Sequence, residues 1–227
     1  MSDMLDAGAE SYAFFDVDDT LINVKSMFSF QNYWYSVMPN PEEQDAFASE
    51  MGRLRDENAA WEILNRRYYS YFAGRTVPQV ADCAEQWFQN LERTVDDLFH
   101  TAIIEKLEEH LHKGEVPVFI SGSFPAVLIP SARRFGVKHI LATTMEVVEG
   151  RYTGEILPPQ TIGAGKAEAV ASFLAKTQVS AQVCYAYGDD ISDLPMLEAV
   201  GHPFVVSGGR GLEDHARKVG WSVLAPR

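Results

Sequence analysis

The sequence predicts an α/β protein with a parallel sheet, and two observations carry that reading. Past residue 95, short apolar runs alternate with helical patterns, the order that joins parallel strands through crossover helices. Near the other end, Tyr12-Ala13-Phe14-Phe15 has the aromatic composition of a buried strand yet runs straight into Asp16, Asp18 and Asp19. Carboxylates delivered to the edge of a buried sheet are costly unless something positive meets them. That strand end is therefore a candidate site, the alternative being a polar turn in which Asp19 and Thr20 cap a short helix.

After this strand the pattern is helical from about Ser26 to about His112, broken near Pro39 to Pro41, Gly74 and Pro78. Helices are expected over Ser26 to Val37, over Pro41 to Phe72 with an internal break, and over Pro78 to Leu91. Pro41 and Pro78 suit a first helical turn, where the missing N–H costs nothing. A helix ending near Lys113-Gly114 leads into a strand over Val116 to Ile120, a helix over Pro125 to Phe135 and a strand over Lys138 to Ala142. Met145 to Val148 and Tyr152 to Ile156 flank Glu149-Gly150-Arg151 as a β-hairpin expected to project from the sheet. A helix over Ala164 to Lys176, a strand over Val183 to Tyr187, a helix over Ser192 to Ala199, a strand over Pro203 to Val206 and a helix over Gly211 to Val219 complete the series.

With 227 residues and 46% hydrophobic residues, the chain can bury a full core. Its formal charge of −13, from 32 acids against 19 Lys and Arg, argues against binding nucleic acid or an anionic membrane. Cys83 and Cys184 lack CxxC spacing and read as reduced, buried thiols, one in a helix and one in a strand. MSDMLDAGAE is acidic and has no apolar centre, so no signal peptide is expected, no run reaches membrane-spanning length, and a cytoplasmic enzyme is the expectation.

Three more polar segments follow predicted strands or open helices, where ligands of parallel sheets bind. Ser121-Gly122-Ser123 offers a hydroxyl and a backbone N–H to an oxyanion, or an ordinary helix cap. Gly163-Ala164-Gly165-Lys166 places a lysine at a helix start. It is no Walker A loop, because Gln160 stands where that motif needs glycine and Ala167 where it needs Ser or Thr. Gly188-Asp189-Asp190-Ile191-Ser192-Asp193 ends a second strand in carboxylates. Two acidic strand ends in one sheet would repel severely without a cation, and an oxygen-only ligand set selects a hard ion such as Mg²⁺.

In this order the four segments resemble the signature motifs of the haloacid dehalogenase superfamily: DxDxT, a Ser after the second strand, a Lys, and GDxxxD. The resemblance runs from Phe14 to Asp193. The helical insertion after the first motif resembles that superfamily's class I cap, and VVEGRYTGE, GKAEA and GDDISDLPML are similar to its phosphoserine-phosphatase-like subgroup. The resemblance implies a Rossmann-like core over residues 1–23 and 95–227, with helices on both faces of the sheet, and a helical cap over residues 24–94. It also implies a Mg²⁺-dependent phosphatase acting on a small phosphorylated metabolite as a monomer or homodimer. Asp16 would be the nucleophile and Asp18 the acid and base. Ser121, Gly122 and Lys166 would bind the phosphoryl oxygens. Asp16, Asp189 and the Asp18 carbonyl would hold the metal, with Asp193 and Thr20 behind them and Asp190 serving the turn. Asp18 favours phosphoryl transfer over dehalogenation, since only an alkoxide leaving group needs its proton.

Two substrate positions depart from the subgroup's pattern. Phosphoserine phosphatases carry a Glu where Lys25 stands and an Asn where Ser192 stands. A cation there would repel a substrate ammonium, so a neutral or anionic leaving group is expected in place of phosphoserine, unless Lys25 points to solvent. The aromatics of residues 24–94 are expected mainly to pack. Arg66, Arg67 and Arg75 among them would suit a ring or second anionic group if they face the substrate, and solvent otherwise. Transfer of the phosphoryl group to another acceptor uses the same residues, and a catalytically silent binding protein on this fold is the third alternative.

Overall fold

The structure, a computed structural model, describes residues 9–227. The reading of the N-terminal stretch as no signal peptide falls, through residue 8, outside the described residues. Among those described, β1 (Tyr12–Asp16), β2 (Val116–Ser121), β3 (His139–Ala142), β6 (Tyr185–Gly188), β7 (His202–Val206) and β8 (Ser222–Leu224) form one sheet in the order β3-β2-β1-β6-β7-β8. Every pairing in it is parallel. With the separate antiparallel hairpin β4 (Thr144–Val148) and β5 (Arg151–Leu157) set aside, this is the doubly wound order 3-2-1-4-5-6. The order in which strands are added reverses between β1 and β6, so ligands are expected beyond their carboxyl ends.

The two faces of β1 are covered by different helices, because side chains alternate along a strand. Tyr12 and Phe14 pack with Val118, Ile120 and the residues of α7 (Ala164–Thr177), α8 (Leu194–Glu198) and α9 (Leu212–Val219). Ala13 and Phe15 pack with Phe119 and Tyr187 toward α5 (Thr101–His112) and α6 (Pro125–Arg134). That second cluster runs without a break into the helices lying between β1 and β2 in sequence: α1 (Ser26–Val37), α2 (Pro41–Asp56), α3 (Trp61–Ser70) and α4 (Val77–Thr94). Phe30, for example, packs edge-on against Phe124 of the core. Asn40 and Thr76 cap α2 and α4 by accepting from the backbone N–H groups of Glu43 and Gln79, with Pro41 and Pro78 in the first turns.

Four details differ from the sequence reading. The strand expected from Val183 begins at Tyr185, because Ser180 caps a single 3₁₀ turn over Ala181–Val183; Cys184 precedes the strand, though it and Cys83 are free and buried. The helix expected from Ser192 divides into a 3₁₀ turn over Ile191–Asp193 and the short α8. The edge strand β8 is three mostly exposed residues whose strand state comes from pairing with β7, which a local pattern does not reveal. The hairpin does not project freely but grips the link between α3 and α4: Gly74 N–H donates to Tyr152 O (2.8 Å), Tyr152 N–H to Arg75 O (3.0 Å) and Val77 N–H to Gly150 O (3.0 Å). No helix among the described residues is long and apolar enough to cross a membrane.

Candidate active site

Parallel register places the acidic strand ends side by side. Phe15 lies opposite Tyr187 and Asp16 opposite Ile120, so Asp16 sits between the start of the β6 loop and Ser121. The loop after β1 turns tightly, with Leu21 and Ile22 N–H donating to Val17 O and Asp19 N–H to Ile22 O. Asp19 takes φ +65°, a left-handed conformation that Asp tolerates better than most residues. This turn delivers Thr20, whose Oγ1 donates to Asp189 Oδ1 at 2.8 Å and joins the two strand ends. On the other side, Gly188 lets Asp193 fold back: a Cβ at that glycine would lie 2.7 Å from the Asp193 Cβ. Asp193 Oδ2 accepts from the N–H groups of Asp189 (3.1 Å) and Asp190 (3.2 Å), while Asp190 caps the turn and pairs with Arg210 at 2.9 Å.

Lys166 enters from the first turn of α7. A Cβ on Gly165 would lie 1.7 Å from Gln160 O, so only glycine permits the tight approach that aims the next side chain at the acids. The Lys166 ammonium contacts Asp16 Oδ1 directly and donates to Asp193 Oδ1 at 2.6 Å. Burial opposes its charge, but Asp16 and Asp193 outweigh that cost and raise it above an ordinary lysine. Asp16, Asp189 and Asp193 are buried, and an oxygen of each lies within 4.8 Å of the others.

One lysine does not offset three clustered carboxylates. Burial holds Asp16 well above the usual carboxylate range against the pull of Lys166, and repulsion from Asp193 and Asp189 adds to it. Burial and Asp193 push Asp189 up to about 7 against the opposing pull of Lys25 and Thr20. A buried, oxygen-only set with surplus negative charge fits a hard divalent cation, and Mg²⁺ meets that description. Asp16 and Asp189 are the members best placed to hold it, since both Asp193 oxygens already accept hydrogen bonds.

Asp18 is set apart from the cluster. Its Oδ2 accepts from the N–H (3.0 Å) and Oγ (2.9 Å) of Ser26, the first residue of α1, where helix geometry favours an anion. Its buried Oδ1 has no hydrogen-bond partner. Burial lifts this carboxyl to about 6, with Lys25 and Ser26 pulling the other way. A group that can hold a proton near neutrality is thus poised beside one that a cation would keep ionised.

Asp16, Asp18, Lys25, Ser121, Gly122, Lys166, Asp189, Ser192 and Asp193 line one cavity of about 80 Å³ together with Met27, Phe28, Trp61, Ser123, Ile162 and Asp190. Thr20 stands behind it on Asp189. A larger cavity of about 690 Å³ adjoins it, sharing Lys25, Trp61, Asp189 and Asp190 and adding Arg210 and His100. Lys25 does not point away to solvent: its Nζ lies 2.8 Å from Asp19 Oδ2 and 5.7 Å from the Trp61 ring centre. The arginines singled out in the sequence lie elsewhere. Arg75 is buried under Trp34 and Phe72, and Arg67 pairs with Glu50 on the helical surface. An arginine that does line the larger cavity, with Lys25, is Arg210, 5.2 Å from the Trp61 ring, in a glycine-bearing loop that carries no motif.

Three clustered carboxylates, a separate carboxyl lifted toward neutrality and a buried lysine thus meet at the switch point of a doubly wound sheet. The chain belongs to the haloacid dehalogenase-like hydrolases, whose family profile matches residues 13–198. It is 32% identical over 225 residues to a probable phosphatase of Mycobacterium tuberculosis, covering 96% of this chain and 76% of that protein. A phosphoserine phosphatase of the same organism is 27% identical over 218 residues, covering 93% and 69%. A crystal structure of a Bordetella pertussis protein of unknown function superposes with a TM-score of 0.84 at 24% identity, covering 96% of this chain and all of that one. The protein is thus a phosphoric monoester hydrolase of that family.

Proposed function

We propose that the protein is a cytoplasmic, Mg²⁺-dependent phosphatase that hydrolyses a small-molecule phosphomonoester through a phosphorylated Asp16. The observation that carries this is the pairing of roles around one small cavity: Asp16 against Lys166, and Asp18 with an unpartnered oxygen beside them. An Asp16 oxygen attacks phosphorus, the bond to the leaving oxygen breaks, and Asp18 gives that oxygen its proton. Asp18, now a carboxylate, takes a proton from water as the water cleaves the acyl phosphate, which restores Asp16 and releases phosphate. Ser121, the Gly122 N–H and Lys166 hold the phosphoryl oxygens in place throughout. Bound Mg²⁺, held by Asp16, Asp189 and the Asp18 carbonyl, would neutralise charge on the carboxylates and the phosphoryl group.

Residues 24–94 act as the cap and the larger cavity receives the leaving group. Lys25 and Arg210 flank Trp61 at its mouth, so a neutral or anionic leaving group fits better than one carrying an ammonium, as phosphoserine does. The test is a panel of phosphorylated metabolites assayed for free phosphate with Mg²⁺, after EDTA treatment, and with Asp16→Asn. Metal-dependent release that vanishes in the variant supports the reading. Release that survives either treatment overturns it, and transfer to added alcohols in place of water would assign the phosphotransferase alternative.

A further inference from the structure

We infer that the cap helix α3 builds the phosphate-binding site: Asn65, Tyr69 and Gln160 are positioning residues that tie the Ser121-Gly122 turn and the Lys166 loop together. Residues 61, 65 and 69 recur at the four-residue spacing of one helical stripe, and that stripe faces the site. Trp61 lines the cavity. One turn later, the fully buried Asn65 donates from Nδ2 to Gly122 O at 2.8 Å, and a further turn on, the Tyr69 hydroxyl donates to the same carbonyl at 2.8 Å. Two donors from the cap thus converge on the peptide that orients the phosphate turn.

The other end of the Asn65 amide reaches the second phosphate-binding segment. Its Oδ1 accepts from Gln160 Nε2 at 2.8 Å, and that amide also donates to Glu62 O at 2.8 Å. Gln160 O accepts from Ile162 N–H at 2.8 Å and packs against Gly165, immediately before Lys166. One buried side chain of the cap therefore links the turn that carries Ser121 to the loop that carries Lys166, beside the core's own tie, in which Thr143 N–H donates to Ser123 O at 3.0 Å and Thr143 Oγ1 accepts from Thr161 N–H at 3.1 Å. A cap that only covered the site would need no such bonds. With them, cap closure and phosphate binding become one event, and product phosphate leaves as the brace is released.

The inference rests on the phosphatase reading of the site, and the experiment separates the two. Affinity for inorganic phosphate and for orthovanadate is measured by calorimetry with Mg²⁺ present, alongside kcat and KM for p-nitrophenyl phosphate and thermal melting. Since either donor can hold the carbonyl alone, Asn65→Leu and Tyr69→Phe should each weaken phosphate binding about two- to fourfold, and the double variant by more than about tenfold, beyond the product of the two. Gln160→Ala should weaken it about threefold. Tyr68→Phe is the structural control: its hydroxyl donates to Met27 O at 2.9 Å from the same helix but touches neither phosphate segment, so it should lower the melting temperature and leave phosphate affinity unchanged. A folded double variant that binds phosphate within twofold of wild type would overturn the brace, as would an equal loss in Tyr68→Phe. Should Asn65→Leu fail to fold, Tyr69→Phe combined with Gln160→Ala asks the same question with the same thresholds. Wild-type protein that neither turns over nor binds phosphate would defeat the phosphatase reading itself, and the brace with it.

Discussion

Two buried charged clusters in this molecule are built on opposite terms. Among the helices between β1 and β2, Arg75 is buried and fully answered: its guanidinium pairs with Glu43 at 2.6 Å, donates to Gln31 at 3.2 Å and lies 4.2 and 4.6 Å from the ring centres of Trp34 and Phe72. At the sheet edge, Asp16, Asp189 and Asp193 share Lys166 and keep an excess of negative charge. A compensated buried charge holds a fold together, whereas a surplus stores a demand for a ligand. The contrast explains why a helical segment dense in aromatics and arginines contributes so few of them to the cavity, where Phe28 and Trp61 are the aromatic members.

The contrast is sharpest in Asp16→Asn. Turnover should fall by at least about 10⁴-fold, as for loss of a covalent nucleophile, while the metal-free melting temperature holds or rises because one of three repelling carboxylates is gone. A melting temperature several degrees lower would show that the cluster is structural after all. Asp18→Asn comes next. It should cost about 10²- to 10³-fold in kcat with an alkyl phosphate and far less with p-nitrophenyl phosphate, whose leaving group needs no proton. With its carboxyl at about 6, wild-type kcat/KM for the alkyl substrate should bend downward above about pH 6 as the acid form is lost. A flat profile for both substrates would remove Asp18 from that role.

Arg75→Met tests the other cluster. We expect about 2 kcal/mol of destabilisation, below the cost of breaking a fully buried pair because Glu43 is partly exposed, with kcat of the folded enzyme nearly unchanged. A lost kcat at unchanged stability would move Arg75 into the catalytic apparatus. The smallest effect is the linkage between pH and Mg²⁺. Asp18 at about 6 and Asp189 at about 7 hold protons in the folded protein that the unfolded chain has already released. Metal-free stability should therefore fall as pH rises from about 4 to about 7, and saturating Mg²⁺ should add a few degrees more to the melting temperature at pH 8 than at pH 5.5. Equal gains at both pH values would count against a site occupied by ionised carboxylates.

Much of the fold was legible because its signals are local. Pro41 and Pro78 mark helix starts, the alternation past residue 95 marks crossover units, and apolar runs stopping at acids mark strand ends. The sites of misreading share one feature: the deciding interaction lies outside the segment. Cys184 falls out of its expected strand because Ser180 caps a turn, and β8 exists because β7 offers it an edge. Arg75 read as facing either substrate or solvent, and is neither, because its partners, Gln31 and Glu43, are 44 and 32 positions away. Arg210 went unnoticed because nothing in its own loop distinguishes it, and only the fold sets it beside Trp61 and Asp190.

By itself the sequence determined the chemistry on offer: carboxylates at two strand ends, a lysine opening a helix, a hydroxyl after the second strand, and Lys25 where an ammonium-binding acid would stand. Burial periodicity and turn chemistry act within a few residues, so a linear reading captures them. Tertiary structure alone decided which of these groups compensate one another. Asn65 meets Gly122 across 57 positions, and Lys166 meets Asp16 across 150, through contacts that depend on how distant segments cross and pack. Electrostatic and hydrogen-bond energies vary over ångströms, and only close packing of the whole chain fixes distances on that scale.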